Sequence, residues 1–279
     1  MTPDLRDRIR RALAEDVGRG DVTTQAVMDH PTPGRAVILA RQRGIVCGLA
    51  VVAEVFRLAD RRLRVRCLRC DGERIADGDE VLEVQGNLAS ILTAERVALN
   101  FLQRLSGIAT LTRRYVEALG DSPTQILDTR KTTPLWRDLE KYAVRVGGGT
   151  NHRFGLDDMV LIKNNHADAA GGLREAIRRV KCALRHRKPI PIMAEARNWD
   201  EVRAAVAEQV DMVLLDNFSA RQLRHARREI PPGILAEASG RMTIKRVRAL
   251  AGLGLDRISV GALTHSAPAL DFALRCRKT

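Results

Sequence analysis

The chain has 279 residues, enough for one large domain or two of ordinary size, and at 45% apolar it can build a core, which excludes a disordered chain. No apolar run is long enough to span a bilayer, and the opening residues lack the apolar heart of a signal peptide, so a cytoplasmic protein is expected. The net charge of +13 invites a nucleic-acid partner, but it is mostly arginine spread over the whole chain, and aromatics make up only 3%; solvated helix faces explain it, and no nucleic acid is expected.

In chain order, the N-terminal part reads as α+β. Segments 37–40 and 44–46 suggest strands, 62–68 and 80–85 alternate with period two, and Asp71-Gly72, Gly78 and Gly86 supply turns. Thr93 is placed to cap a long helix that runs through Val97, Phe101 and Leu105 towards Leu119 and stops at Gly120. The expectation is a first domain over 1–110, with this helix as bridge to a second domain over 111–279. The five cysteines, Cys47, Cys67, Cys70, Cys182 and Cys276, are scattered and odd in number, unlike a disulfide framework. Cys67 and Cys70 have no second pair at ligand spacing, so buried or half-buried thiols are expected rather than a metal site.

From about Asp121 onward, strand and helix alternate. Apolar runs at 125–127, 159–162, 190–196, 212–215, 234–236 and 257–260 are separated by amphipathic stretches at 135–146, 172–184, 199–208, 220–229 and 244–250. Repeated βα units give a barrel or a doubly wound sheet. Polar residues follow almost every strand: Asp128-Thr-Arg-Lys, Lys163-Asn-Asn-His, Glu195-Ala-Arg, Asp216-Asn, Glu237-Ala-Ser-Gly and Gly261-Ala-Leu-Thr-His. An open sheet concentrates chemistry at one switch point, whereas a barrel collects it from many strand ends. The pattern favours a barrel with fewer than eight units. Gly147-Gly-Gly follows a helix and reads as a helix stop and flexible loop, not a dinucleotide fingerprint.

Arg130, Lys131, His152, Arg153 and Lys163 fall in or beside turns and glycine-rich connections. Crowded cations repel one another unless an anion lies between them, so this stretch is expected to hold a small, multiply negative substrate.

Several motifs share one resemblance. Leu127-Asp-Thr-Arg-Lys-Thr-Thr-Pro134, Glu140-Lys-Tyr-Ala-Val-Arg-Val-Gly-Gly-Gly-Thr-Asn-His-Arg153, Leu161-Ile-Lys-Asn-Asn-His166, Leu214-Leu-Asp-Asn-Phe218 and Ile258-Ser-Val-Gly-Ala-Leu-Thr-His-Ser-Ala-Pro268 resemble the quinolinate phosphoribosyltransferases. Glu15-Asp-Val-Gly-Arg-Gly-Asp-Val-Thr-Thr24 and the run from Leu92 to Thr110 extend the likeness over nearly the whole chain. The family joins quinolinate to phosphoribosyl pyrophosphate and releases pyrophosphate and carbon dioxide, giving nicotinate mononucleotide for NAD synthesis. The resemblance implies an N-terminal α/β sandwich domain and an open, incomplete C-terminal α/β barrel carrying the active site.

It also assigns roles. Arg96, Thr129, Arg130, Lys131, His152, Arg153 and Lys163 match positions that bind quinolinate, with Lys131 also catalytic. Glu195 and Asp216 match acidic catalytic positions on the ribose and Mg2+ side, though on local sequence either could instead cap the following helix. Ser239, Gly240, Arg241, Val260, Gly261 and Ala262 match the phosphate-binding loops. His166 and His265 read as structural hydrogen bonders. Arg96 lies in the first domain, which the resemblance explains by a homodimer in which each Arg96 completes the neighbouring site. Departures are Leu135 and Arg241, where the family has glycine, and Asn164 and Met193, each replacing an acid. They leave open a related enzyme for another pyridine or anionic base.

Overall fold

The computed structural model describes residues 2–28 and 30–277. Two compact units result: one runs to Leu111 and takes back the chain from Ala267 onward, and the other is Thr112–Ser266.

The first unit begins with α1 (Pro3–Val17), where the Thr2 side chain accepts from Leu5 N and proline occupies the first turn, and with α2 (Val22–Val27), capped by Asp21. Then come β1 (Pro33–Ala40), β2 (Gly44–Ile45), α3 (Leu49–Ala59), β3 (Arg64–Cys67), β4 (Arg74–Ile75), β5 (Glu80–Asn87) and α4 (Leu88–Glu117). Val37, Ile38, Val52, Phe56, Leu82, Leu102 and Leu105 are buried and form its core.

Three expectations are corrected here. Thr93 does not cap the long helix: α4 starts at Leu88, where the Asn87 carboxamide accepts from Ala89 N, while Thr93 donates instead to Asp21. The chain end does not stay with the barrel, because strand Phe272–Arg277 pairs antiparallel along β1 and becomes an edge of the order β12-β1-β5-β3. Gly107 lets this tail approach α4, since a Cβ there would lie 2.0 Å from the Pro268 carbonyl oxygen. Cys47 alone of the five thiols is buried; Cys67 and Cys276 lie on edge strands, Cys70 in the connection after one of them, and Cys182 on the solvent side of a helix, all exposed.

The second unit alternates β6 (Gln125–Leu127), α5 (Arg137–Val146), β7 (Val160–Ile162), α6 (Asn164–Ala170), α7 (Leu173–Leu184), β8 (Ile192–Ala196), α8 (Trp199–Ala207), β9 (Met212–Asp216), α9 (Ala220–Glu229), β10 (Leu235–Ser239), α10 (Ile244–Leu250), β11 (Arg257–Ser259) and α11 (Ala262–His265), and the tail strand is β12. Strands β6 to β11 form one six-stranded parallel sheet in the order β6-β11-β10-β9-β8-β7, the open barrel expected. Met159, Met193, Met212 and Leu214 pack into one buried cluster, with Leu161 and Leu235 against it. Met193 therefore belongs to apolar packing, not to the polar strand ends.

The segment after α5 is tighter than the flexible loop expected of three glycines. Gly148 turns at φ 92, Gly149 sits where a Cβ would meet Thr112 and Val144, and Thr150 N donates to Ile126 O at 2.8 Å. Thr150 thereby bridges in parallel to Leu127.

Candidate active site at the strand ends

Because all six strands run the same way, the residues that follow them share one end of the sheet. After β6 comes Asp128, fully buried. Its carboxylate pairs with Lys141 of α5 and accepts from Asn151 Nδ2 at 2.6 Å and His152 N at 2.8 Å. Lys141 also donates to the His152 carbonyl at 2.8 Å. Its neighbour Glu140 accepts from Thr133 N at 3.1 Å and Thr133 Oγ1 at 2.8 Å. Two consecutive charged residues on one helix thus hold the two loops, 128–136 and 150–154, that carry the expected cations. Burial pushes the Asp128 pKa up and the Lys141 pKa down, each opposed by the pairing between them.

Those cations are close together. Arg153 is buried and donates to the Met159 carbonyl at 2.9 Å. Burial lowers its pKa, and the Arg130 charge lowers it further, so the two guanidiniums lie within electrostatic reach of each other. Arg130 Nε is buried and without a hydrogen-bond partner among the described residues. Thr129 Oγ1 accepts from Lys131 N at 3.1 Å, and the Lys131 carbonyl accepts from Thr264 Oγ1 at 2.8 Å. A Cβ on Gly261 would lie 3.2 Å from Lys131 Cδ, so Lys131 rests against the loop after β11. Val260 N donates to Leu127 O at 2.8 Å, and Ala262 opens α11 in that same loop.

The acidic side assembles on β7 to β10. Burial raises the Glu195 pKa, and the Asp216 carboxylate raises it further, while Lys163 and Arg197 oppose the shift. The caps of α8 and α9 are Asn198 and Ser219, so neither acid serves as a helix cap. Asp216 accepts from Ser239 Oγ at 2.7 Å and Asn217 Nδ2 at 2.8 Å. Gly240 turns at φ 95, and a Cβ there would strike Asn217 Oδ1 at 2.1 Å, so only glycine fits. Arg246 ties this loop down through Gly240 O at 2.7 Å and Phe218 O at 2.8 Å. Lys163 is exposed, and its N–H donates to His166 Nδ1 at 3.0 Å, the structural bond expected of that histidine.

The departures from the family pattern now have geometry. Leu135 (φ 64) and Arg241 (φ 46) keep the left-handed backbone that the usual glycine would adopt. Asn164 opens α6, where its carboxamide accepts from Asn165 N at 2.8 Å. Arg96 belongs to the first unit, where it is exposed on α4.

Sequence reasoning gave no site role to Glu140, Lys141, Asn151 or Glu237, which hold the two loops through hydrogen bonds or, for Glu237, lie against His152. For Glu140 and Lys141 the signal was a charged residue at an apolar register position, on the buried face of an otherwise amphipathic α5.

The quinolinate phosphoribosyl transferase N-terminal domain model matches residues 21–106, and the C-terminal domain model of the same enzyme matches residues 108–275. The chain belongs to the quinolinate phosphoribosyltransferase family. A probable nicotinate-nucleotide pyrophosphorylase [carboxylating] of Synechocystis is 42% identical, over 96% of this chain and 90% of that protein. The nicotinate-nucleotide pyrophosphorylase [carboxylating] of Mycobacterium leprae is also 42% identical, over 96% of each chain. The crystal structure of NadC from Streptococcus pyogenes superposes with a TM-score of 0.95 at 41% identity, covering 100% of this chain and 99% of that one.

Proposed function

We propose that this chain transfers the phosphoribosyl group of phosphoribosyl pyrophosphate to quinolinate, with loss of carbon dioxide, giving nicotinate mononucleotide and pyrophosphate. The observation that carries the reading is the match to this family over nearly the whole chain, joined by two arginines after β6 and α5, Arg130 and Arg153, near enough for the charge of one to act on the other. Two adjacent carboxylates of quinolinate supply the anion those cations lack, and arginine forks suit them. Arg130, Arg153, Lys131, Lys163 and Thr129 make up the pyridine side, with His152 at the root of Arg153. Ser239, Gly240, Arg241, Val260, Gly261 and Ala262 take the 5′-phosphate.

In the reaction the pyridine nitrogen attacks the anomeric carbon as the bond to pyrophosphate breaks, and the 2-carboxylate then leaves as carbon dioxide while a proton replaces it. Positive charge grows on the sugar in the first step, where Glu195 and Asp216 stand ready to oppose it. These two also fit Mg2+: both are hard oxygen donors, and they repel each other as they stand. Among the described residues no group of three or more ligands could hold a metal by protein alone, which suits an ion brought largely by the pyrophosphate. Magnesium there would neutralise the leaving group.

The reading includes a homodimer in which Arg96 of the partner subunit completes each site, and keeps the cytoplasmic location expected of the sequence. Among the described residues no helix is long and apolar enough to cross a membrane. Nothing in the comparisons favours another base or nucleic acid. A coupled assay for carbon dioxide and pyrophosphate, run with quinolinate and with nicotinate, tests the function. Quinolinate should turn over at least about ten-fold better in kcat/KM, because nicotinate strands cations that the second carboxylate would satisfy. Equal turnover of the two would refute it.

A further inference from the structure

Glu237 is fully buried in the second unit, and neither of its carboxylate oxygens has a hydrogen-bond partner among the described residues. Its strand puts it there. β10 aligns Glu237 with Leu214 and Ser239 with Asp216, so Glu237 shares a sheet face with Leu214 of the methionine-rich cluster. It lies one pleat, about 6.6 Å, beneath the Ser239–Asp216 contact. A carboxylate held in such a place without a donor is strongly unfavourable, and such groups persist where function needs them.

One donor faces it. His152 Nε2 lies 3.4 Å from Glu237 Oε1, on a side chain only 8% exposed. The other ring nitrogen, Nδ1, accepts from Arg153 N at 2.8 Å. A nitrogen that accepts carries no proton, so the ring proton of neutral His152 is on Nε2, the nitrogen that lies beside Glu237. We infer that Glu237 is a positioning residue for the anion site. It fixes the tautomer and orientation of His152, and through the Nδ1 bond to Arg153 N it fixes the turn that presents the Arg153 guanidinium. Both ring nitrogens are then engaged inside the protein, so His152 acts on the substrate through Arg153 rather than by the direct contact expected from the sequence. The 3.4 Å separation is long for a hydrogen bond, as such contacts often are before substrate binds and draws the site together.

The substrate named in this inference rests on the proposed function, but the geometry does not. Two variants of the full chain test it. Glu237→Gln keeps an oxygen that can accept from Nε2–H, whereas Glu237→Met keeps the bulk and removes the acceptor. Glu237→Met should raise KM for quinolinate about ten-fold or more, with kcat and the KM for phosphoribosyl pyrophosphate within about two-fold, and Glu237→Gln should raise it less than about three-fold. A folded Glu237→Met enzyme with unchanged KM for quinolinate overturns the inference. Nitrogen NMR of histidine-labelled protein gives a readout that needs neither turnover nor a folded methionine variant, with the His152 signals assigned by their loss in His152→Asn. The wild type should show the Nε2–H tautomer, and Glu237→Gln should move the Nε2 resonance while leaving Nδ1 nearly in place. A proton on Nδ1 in the wild type, or an Nε2 resonance indifferent to Glu237→Gln, overturns it equally. A protein that passes the NMR test yet ignores quinolinate would instead refute the functional reading alone.

Discussion

Lys141→Met probes the buried pair beneath the cation loops. Lys141 is 1% exposed and Asp128 0%, so water can replace neither partner. Breaking such a pair by removing one member costs about 3–5 kcal/mol. Asp128 would keep its bonds from Asn151 Nδ2 and His152 N, which places the loss near the lower bound, about 3 kcal/mol, while the orphaned His152 carbonyl adds about 1. Against a total stability of about 5–15 kcal/mol this is a large fraction. The cost must also depend on pH. Burial already raises the Asp128 pKa in the folded protein above its ordinary 3.8, with Lys141 holding it down. Without Lys141 it rises further. A raised folded pKa contributes stability below the unfolded value and loses it as pH climbs through the folded one, so the variant should suffer most near pH 8 and least near pH 5. Urea unfolding at both pH values can be followed by tryptophan fluorescence, because both tryptophans, Trp136 and Trp199, lie in the unit that contains the pair. Adding Asp128→Asn to Lys141→Met should recover part of the loss at pH 8, since the amide carries no charge to strand. A cost below about 1 kcal/mol at pH 8, or one that is the same at pH 5, would refute the argument.

The other predictions address the mouth of the site. Glu195→Gln and Asp216→Asn should each lower turnover about a hundred-fold or more while calorimetry shows quinolinate affinity nearly intact; a loss of affinity without a loss of kcat would place these acids on the pyridine side. Leu135→Gly should raise thermal stability by up to about 1 kcal/mol, the left-handed strain of about 1–2 kcal/mol less the entropy glycine adds to the unfolded chain. A melting temperature that falls would show that the exposed leucine makes a contact outweighing its strain. Arg96→Ala and Lys131→Ala homodimers should each be nearly inactive, yet mixing and re-forming them should restore up to about a quarter of wild-type activity, because half the dimers are mixed and half their sites intact. If exchange is shown by tag pull-down and the mixture stays dead, Arg96 does not complete a neighbouring site.

How legible a residue was depended on what its surroundings resemble. The barrel strands could be read because six apolar runs each ended in polar residues, a pattern that survives without any contact information. Helices α1, α2 and α3 were not expected, although Thr2 and Asp21 are ordinary caps: α2 has only six residues, α3 is nearly wholly apolar, and α1 is so charged that only Leu5 and Ile9 mark its buried face. The closing strand β12 was illegible for a different reason: its partner β1 lies at the other end of the chain, and nothing local to Phe272–Arg277 names that partner.

The site shows the same division. The residues proposed to meet substrate stand at strand ends and in turns, where a cation is out of place in a structural reading, so Arg130, Lys131 and Arg153 stood out. Residues that hold those side chains stand inside elements, where a charge is masked by the pattern around it. Glu140 and Lys141 occupy the buried face of α5, and their neighbours on it, Leu139, Ala143 and Val144, make that face look apolar. Glu237 read as the first polar residue after a strand ending at Ala236, but it stands inside β10 between buried Ala236 and Ala238. A charge at a core position is costly unless it is paired, so an ionisable residue set in an apolar register is itself a signal that two segments meet there. In this fold α5 acts on that signal twice in succession, with Glu140 on the loop after β6 and Lys141 on both that loop's root and the turn at His152. The spacing of the cations is therefore set by a buried ionic frame, and that is why disturbing Lys141, itself buried in that frame, should reach the proposed site.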